Sequence, residues 1–405
     1  MDLLDDARTL TDDLIALRRA PHRDPEIGLE LPRTQEKVLT ALDGLPLEIT
    51  AGPAGLGSVI AVLRGGRSTG RTVLVRGDMD ALPVDEQTDL DFAATNGAMH
   101  ACGHDLHTAS LVGAARLLSA HRDELAGDVL FMFQPGEEGF DGAGHMLQAG
   151  LLDAAGNRPE AAFALHVTSS FLPLGALALR PGPMMSAADV LHVDVVGAGG
   201  HGSSPHRARD PISVAAEIVT ALQTLVTRQF DVFDPVVVTV GNFHGGTQQN
   251  IIPERAHFDA TVRTFSAENQ QAMSERAPRL CRGIAEAHGL EAEVVWETLY
   301  PVTVNDGAEA EFVSRTAGEL FGPEAVVAMP NPHTGSEDFS RVLEAVPGVM
   351  AFLGATPVGA DPATAPFNHS PLATYDESAL SLGAALYARL AVDRLASAPP
   401  APSGT

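Results

Sequence analysis

The stretch Met99-His100-Ala101-Cys102-Gly103-His104-Asp105-Leu106-His107 sets three imidazoles, a thiol and a carboxylate within nine residues. Such a density of polar side chains is costly unless a cation uses it. Cys102 and His104 stand two residues apart, and thiolate and imidazole can converge on one metal ion. A polar loop ahead of a helix is the plainer reading, so the flanking segments have to decide. Upstream, Val73-Leu74-Val75 reads as a strand; downstream, Thr108 to Ala120 reads as a helix and Val129 to Phe133 as the next buried strand. Strand, loop, helix and strand in that order predict an α/β sheet, with ligands gathered at strand ends.

The second of those strands runs into Gln134-Pro135-Gly136-Glu137-Glu138-Gly139. Adjacent carboxylates repel each other, and glycines on both sides let the backbone come close. A solvated turn accounts for the pair, and so does a site where one carboxylate holds a cation while its neighbour moves a proton. Ala161 to Val167 reads as a buried strand interrupted by His166, and Phe367-Asn368-His369-Ser370-Pro371 puts another histidine in a loop. Each histidine alone is as readily a satisfied structural residue. Together, Cys102, His104, Glu138, His166 and His369 offer enough ligands for two cations that share a bridge.

These segments carry a resemblance to the M20 family of metallopeptidases, in particular to its amidohydrolase branch of aminoacylases, hippurate hydrolases and auxin-conjugate hydrolases. Further blocks in order extend it over most of the chain. They are Arg76-Gly77-Asp78-Met79-Asp80-Ala81-Leu82-Pro83, Gly199-Gly200-His201-Gly202-Ser203-Ser204-Pro205-His206, Asn250-Ile251-Ile252-Pro253, Thr261-Val262-Arg263 and Gly335-Ser336-Glu337-Asp338-Phe339. Peptidase branches have His-x-Asp where this chain has Asp78-Met79-Asp80, and that departure marks the amidohydrolase branch. Two smaller departures are Ala20-Pro21 ahead of His22, where relatives commonly have leucine before the histidine, and Leu372 after Pro371.

The resemblance implies a two-metal site of Cys102 as shared thiolate with His104, Glu138, His166 and His369, and Glu137 as general acid and base. It implies two divalent ions, zinc or manganese, with cobalt or nickel as further options. Asp78 and Asp80 are expected to orient ligands from behind, and Glu137 to titrate nearer neutrality than a free glutamate. The reaction implied is hydrolysis of an N-acyl amino acid, N-acetyl, N-benzoyl or related, to a carboxylic acid and a free amino acid. A dipeptidase or carboxypeptidase-type enzyme differs from this only in the acyl group.

The texture of the chain changes near Pro181-Gly182-Pro183. Beyond it, strands are expected at Val190 to Val196, Val236 to Gly241, His257 to Arg263 and Glu293 to Trp296, with a helix over Asp210 to Phe230. The resemblance makes residues 184–296 an inserted α+β lid of four strands and two helices, and 1–183 with 297–405 a zinc-peptidase-like α/β catalytic domain. It further implies a homodimer or a dimer of dimers through the insert, with His201 steadying the oxyanion and Asn250 and Arg263 gripping the substrate carboxylate. Arg263 has an alternative as the partner of Asp259 or another acid. Gly335-Ser336-Glu337-Asp338 resembles a backbone-lined wall near the metals.

Composition is consistent with this reading. At 405 residues, with 45% hydrophobic content, the chain is long enough for two cores. Its net charge of -26 argues against nucleic acid or an anionic membrane as partner. Lys37 is the only lysine, which disfavours Schiff-base chemistry, and there is no Gly-Lys-Ser/Thr loop for a nucleotide. The acidic start Met1-Asp2-Leu3-Leu4-Asp5-Asp6 and the well-separated Cys102 and Cys281 lead us to expect a cytoplasmic enzyme. Leu10, Leu14 and Leu17 predict one amphipathic first helix, and the tail from Ser397 to Thr405 is expected to be disordered. A different chemistry, Cys102 as a nucleophile paired with His104 or His107, would leave Glu138, His166 and His369 without a role. A non-catalytic binding module would be expected to have lost Glu137 or a ligand.

Overall fold

The computed structural model describes residues 2–397 apart from residues 54 and 68. In chain order the elements are α1 (Leu3–Thr9), α2 (Thr11–Arg23), α3 (Pro32–Leu42), β1 (Leu47–Ala51), β2 (Val59–Leu63), β3 (Thr72–Asp78), α4 (His104–Ala120), β4 (Asp128–Gln134), α5 (Gly142–Gln148), β5 (Ala161–Pro173), β6 (Leu177–Leu179) and β7 (Gly182–Met185). Next come β8 (Ala188–Val196), β9 (Gly200–His201), α6 (Pro211–Gln229), β10 (Val237–Gly245), β11 (Ile251–Ile252), β12 (Arg255–Arg263), α7 (Ala267–Ala287) and β13 (Glu291–Tyr300). The chain closes with β14 (Thr303–Asn305), α8 (Gly307–Phe321), β15 (Val326–Ala328), α9 (Ser340–Ala345), β16 (Gly348–Thr356) and α10 (Ala379–Ala396).

The chain divides into two compact units. The first comprises residues 1–184, 304–331 and 341–405, and the second comprises 185–303 and 332–340. The return lies later than residue 297 because β13 continues to Tyr300 instead of stopping at Trp296. Gly335 to Asp338, expected beside the metals, falls in the second unit.

The first unit is built on an eight-stranded mixed sheet in the order β1-β2-β4-β3-β5-β16-β6-β15. Its centre is parallel, β4 with β3, β3 with β5 and β5 with β16. Every residue of β2, β3, β4 and β16 is buried, as in sheets covered on both faces. Because β3, β4 and β5 are parallel, their C-terminal ends share one edge of the sheet. Asp78, Gln134 and the His166 region are thereby brought together from distant parts of the chain.

The second unit carries an antiparallel sheet in the order β10-β12-β8-β13. Leu191, Val193 and Val195 of β8 point into a core shared with Ile218 and Leu222 of α6 and with Met273 and Cys281 of α7. The alternating residues His192 and Asp194 stay half-buried on the other face.

Two local expectations are corrected. Leu14 and Leu17 share a helix as expected, but it is the second one, α2, and Leu10 links it to the short α1 that ends at Thr9. Helix α4 begins at His104, so this histidine stands on the helix and not in a loop before it. Of the expected tail, residues 398–405 lie outside the described residues.

Candidate metal centre

Cys102 is buried in the turn ahead of α4, and its Sγ is 3.4 Å from His166 Nε2 and 3.2 Å from His369 Nε2. The turn needs glycine at position 103. There φ is +83°, and a β-carbon would lie 2.5 Å from Val167 Cγ2. Ligand atoms of Cys102, His104 and His166 lie within 4.8 Å of one another, and so do those of Cys102, Glu138 and His369, with Cys102 common to both groups. A third such group joins His104 to Glu137 and Glu138.

Backbone carbonyls set the tautomers of two of these histidines. His104 Nδ1 is 2.9 Å from the Asp80 carbonyl, and His166 Nδ1 is 2.8 Å from that of Val167. A carbonyl only accepts, so each Nδ1 carries hydrogen and each neutral ring keeps a lone pair on Nε2. Burial, reinforced by His107, pushes His166 well below its ordinary pKa, which keeps it a neutral donor.

Asp80 works in two directions. Its carbonyl orients His104, and its two carboxylate oxygens accept the N–H groups of Glu137 and Glu138, each at 3.0 Å. The paired glutamates after β4 are therefore aimed by the strand beside them. Glu137 is buried, and Glu138 Oε1 lies 3.1 Å from His369 Nε2 and 4.0 Å from His104 Nε2.

Asp78 lies behind the cluster, with Oδ2 3.6 Å from His104 Nε2. Burial would raise its pKa, but Arg76, His104 and His107 outweigh burial and hold it well below the usual carboxylate range. Its closest histidine is His107, at 2.5 Å, and His107 Nε2 accepts the N–H of Val167 at 2.8 Å. Both nitrogens of His107 are thus committed, and Asp78 acts through it on β5 next to His166. The sequence offered one clue to this, since His107 follows His104 by three residues and shares its helix face.

Asn368 was not foreseen. Its amide donates to the carbonyls of Cys102 and Val167 at 3.2 and 3.0 Å and accepts the N–H of Ser169 at 3.0 Å, locking the thiol turn to β5. Tyr375 adds a hydroxyl bond to the Ala101 carbonyl at 2.7 Å. His369 itself adopts φ +72°, a conformation that side chains other than glycine take only where the surroundings enforce it.

The donor set is fitted to a cation. His104 Nε2 is buried without a hydrogen-bond partner, and it faces the Cys102 thiol and the His166 imidazole. Hydrogen bonds to Cys102 and Glu138 hold His369 protonated up to about 10, which shows how strongly the cluster attracts positive charge. Thiolate, imidazole and carboxylate are ligands that divalent transition metals accept.

His201, Asn250 and Arg263 belong to the second unit. There β9 pairs with β11, so His201 lies opposite Ile251, and the Asn250 carbonyl accepts the N–H of Gly202 at 2.8 Å. His201 Nδ1 is 2.8 Å from Ser203 Oγ. Next to it a cleft of ≈ 560 Å³ is lined by Gly202, Asp210, Gly246, Gln248 and Pro253, among others. Arg263 ends β12 half-buried; burial lowers its pKa while Asp189 attracts its charge. It does not pair with Asp259, whose carboxylate is engaged by His192, Asn242 and His257.

Residues 74–393 match the model of peptidase family M20/M25/M40. The chain is 38% identical to N-acetylcysteine deacetylase of Bacillus subtilis, over 94% of this chain and 96% of that protein. It is 37% identical to thermostable carboxypeptidase 1 of Saccharolobus solfataricus, over 97% and 99% of the two chains. Among solved structures, the dinuclear metal-binding M20 peptidase YXEP of Bacillus subtilis superposes with a TM-score of 0.81 at 35% identity, covering 96% of this chain and 99% of that one. The chain belongs to peptidase family M20/M25/M40.

Proposed function

We propose, from this membership and the donor cluster around Cys102, that the protein hydrolyses N-acyl amino acids to a carboxylic acid and a free amino acid. The reading rests above all on one observation. Ligand atoms of Cys102, His104, Glu138, His166 and His369 converge in overlapping groups that share Cys102, His104 and Glu138, and the buried Glu137 stands beside them. These residues are assigned as ligands of two divalent ions, zinc or manganese. When bound, such ions supply Lewis acidity that makes water a nucleophile near neutral pH and stabilises charge on an amide oxygen.

The protein supplies the proton traffic and the orientation. Asp80 holds the Glu137 backbone, so the carboxylate can take a proton from attacking water and return it to the departing amine nitrogen. Burial of Glu137 keeps bulk water from competing for that proton. From the second unit, His201 is assigned to the developing oxyanion and Asn250 and Arg263 to the substrate carboxylate, for which a guanidinium fork is well shaped.

We assign the second unit the role of lid and of homodimer or dimer-of-dimers interface, and the protein a cytoplasmic location. No helix among the described residues is long and apolar enough to cross a membrane. Similarity to a carboxypeptidase keeps one second reading, cleavage of peptides instead of acylated amino acids.

The deciding test uses N-acetyl, N-benzoyl and dipeptide substrates with protein stripped by chelator and refilled with zinc, manganese or cobalt. Metal-restored release of free amino acid from the acylated substrates is expected. Release unaffected by chelation, or confined to dipeptides, would overturn the proposal.

A further inference from the structure

A second buried polar cluster lies beside the ligand-bearing segments. Arg18 of α2 is 1% exposed; its Nε donates to Asp105 Oδ2 at 2.7 Å and its Nη1 to Glu377 Oε1 at 3.0 Å. His22, one turn further along α2, places Nδ1 2.8 Å from the same Asp105 oxygen and Nε2 3.2 Å from Glu86 Oε1. Arg19 grips Glu377 as well, at 2.6 and 2.9 Å. Glu86 accepts the N–H of Ala94 at 2.6 Å, and the N–H of Gln87 donates to the Pro371 carbonyl at 2.9 Å.

The positions of the two acids give the cluster its meaning. Asp105 follows His104 directly and lies three residues beyond Cys102, whereas Glu377 belongs to the segment that starts with His369. One guanidinium therefore spans two segments that deliver ligands from opposite ends of the chain. Burying such an ion network is a poor way to gain stability, because apolar side chains of similar volume generally serve as well or better. A rigid fork with several donors is a good way to hold two carboxylates at a set spacing. The strained backbone at His369 adds a reason for holding that segment from behind.

We propose that Arg18 is a positioning residue for the metal centre, fixing the Cys102–His104 turn relative to the His369 segment by holding Asp105 and Glu377 together. The inference rests on the metal-ligand assignment made above. It predicts that loss of Arg18 loosens the spacing of the ligands, so that metal binds more weakly, by roughly ten- to hundredfold, as is typical when partners behind a ligand are removed.

The test is cobalt titration of the metal-stripped full-length protein, read by thiolate-to-cobalt charge-transfer absorbance, alongside its thermal midpoint. Arg18→Met is expected to shift the titration to higher cobalt. Arg18→Lys is expected to recover part of the shift, since an ammonium can hold Asp105 without forking to Glu377. The control is Arg394→Met, which removes another buried arginine paired with Glu309 and Glu160. It is expected to lower the thermal midpoint while cobalt titrates as in the wild type.

An Arg18→Met protein that melts early like the control but titrates like the wild type would overturn the inference alone. Should Arg18→Met not fold, Glu377→Ala removes the second anchor of the tie, along with the Arg19 bonds, while leaving Arg18 on Asp105, and must still weaken cobalt binding several-fold; wild-type titration in that variant overturns the inference too. A wild-type protein with no cobalt–thiolate band would instead overturn the ligand assignment beneath it.

Discussion

The two ends of the central sheet handle charge in opposite ways. At the N-terminal ends of β3, β4 and β5, acids and arginines alternate. Arg64 joins Glu48 to Asp128, Arg71 binds Glu160, and Arg394 binds Glu160 and Glu309. At the C-terminal ends, the thiol of Cys102, the imidazoles of His104, His166 and His369 and the carboxylate of Glu138 are brought together, with Asp80 and Glu137 close by. The first end neutralises itself, while the second is arranged for a positive charge from outside. Buried charge by itself therefore does not mark a functional site; buried charge without its complement does.

The sharpest way to break this contrast is at Glu137. Glu137→Gln is expected to lower kcat for an N-acyl amino acid by about 10²–10⁴-fold, the usual worth of a positioned acid–base group, with metal content unchanged. Steady-state kinetics with metal analysis checks both halves; full activity would remove the distinction between this acid and its neighbours.

At the self-neutralised end, Arg394→Met leaves Glu309 buried without its partner. Burial already raises the Glu309 pKa against the pull of Arg394, so the loss is expected to cost roughly 3–5 kcal/mol in denaturant unfolding. The turnover of the folded fraction should stay at the wild-type level.

Asp80→Asn sharpens the comparison from the ligand side. Asn can accept one of the two N–H bonds from Glu137 and Glu138 but sets an NH₂ against the other. Metal affinity or activity is expected to fall roughly 10–100-fold, measurable by competition with a chelating dye.

The smallest effect belongs to the open face of the second sheet, a self-neutralising arrangement in reach of solvent. Burial would raise Asp259, but His192, Asn242 and His257 together lower it to about 2. A depressed carboxylate stabilises the folded state above its unfolded value, and that contribution is lost as pH falls toward 2. Burial would lower His257, yet the hydrogen bonds it donates to Asp259 and Asp194 raise it. Its contribution is complete below the ordinary value of 6.5 and fades as pH rises through the folded one. Protection of β8 and β12 amides, corrected for intrinsic exchange, should be highest between these limits, and Asp259→Asn should flatten its acid side. Both groups are partly exposed, so solvent screening keeps the change slight.

Much of the first unit was legible because hydrophobic runs report burial directly. Val73 to Val75, Val129 to Phe133 and Ala161 to Val167 all lie in central strands. The glutamate pair and the thiol turn stood out because ordinary packing has little use for them. His107 and Asn368 were not recognised, since their roles depend on backbone groups of β5 that have no sequence signature. The limits of α4 and β13 were misplaced by a few residues, as happens where polar residues continue an element past its apolar core.

The sequence by itself determined the α/β class, the family and the candidate donors, because residue chemistry and hydrophobic spacing are local properties. Only the tertiary structure decided which histidines have a free lone pair, that Asp78 serves His107, and that Arg18 joins Asp105 to Glu377. Those outcomes depend on distances between residues far apart in the chain. Such distances exist only once parallel strands have brought their ends to one edge of the sheet.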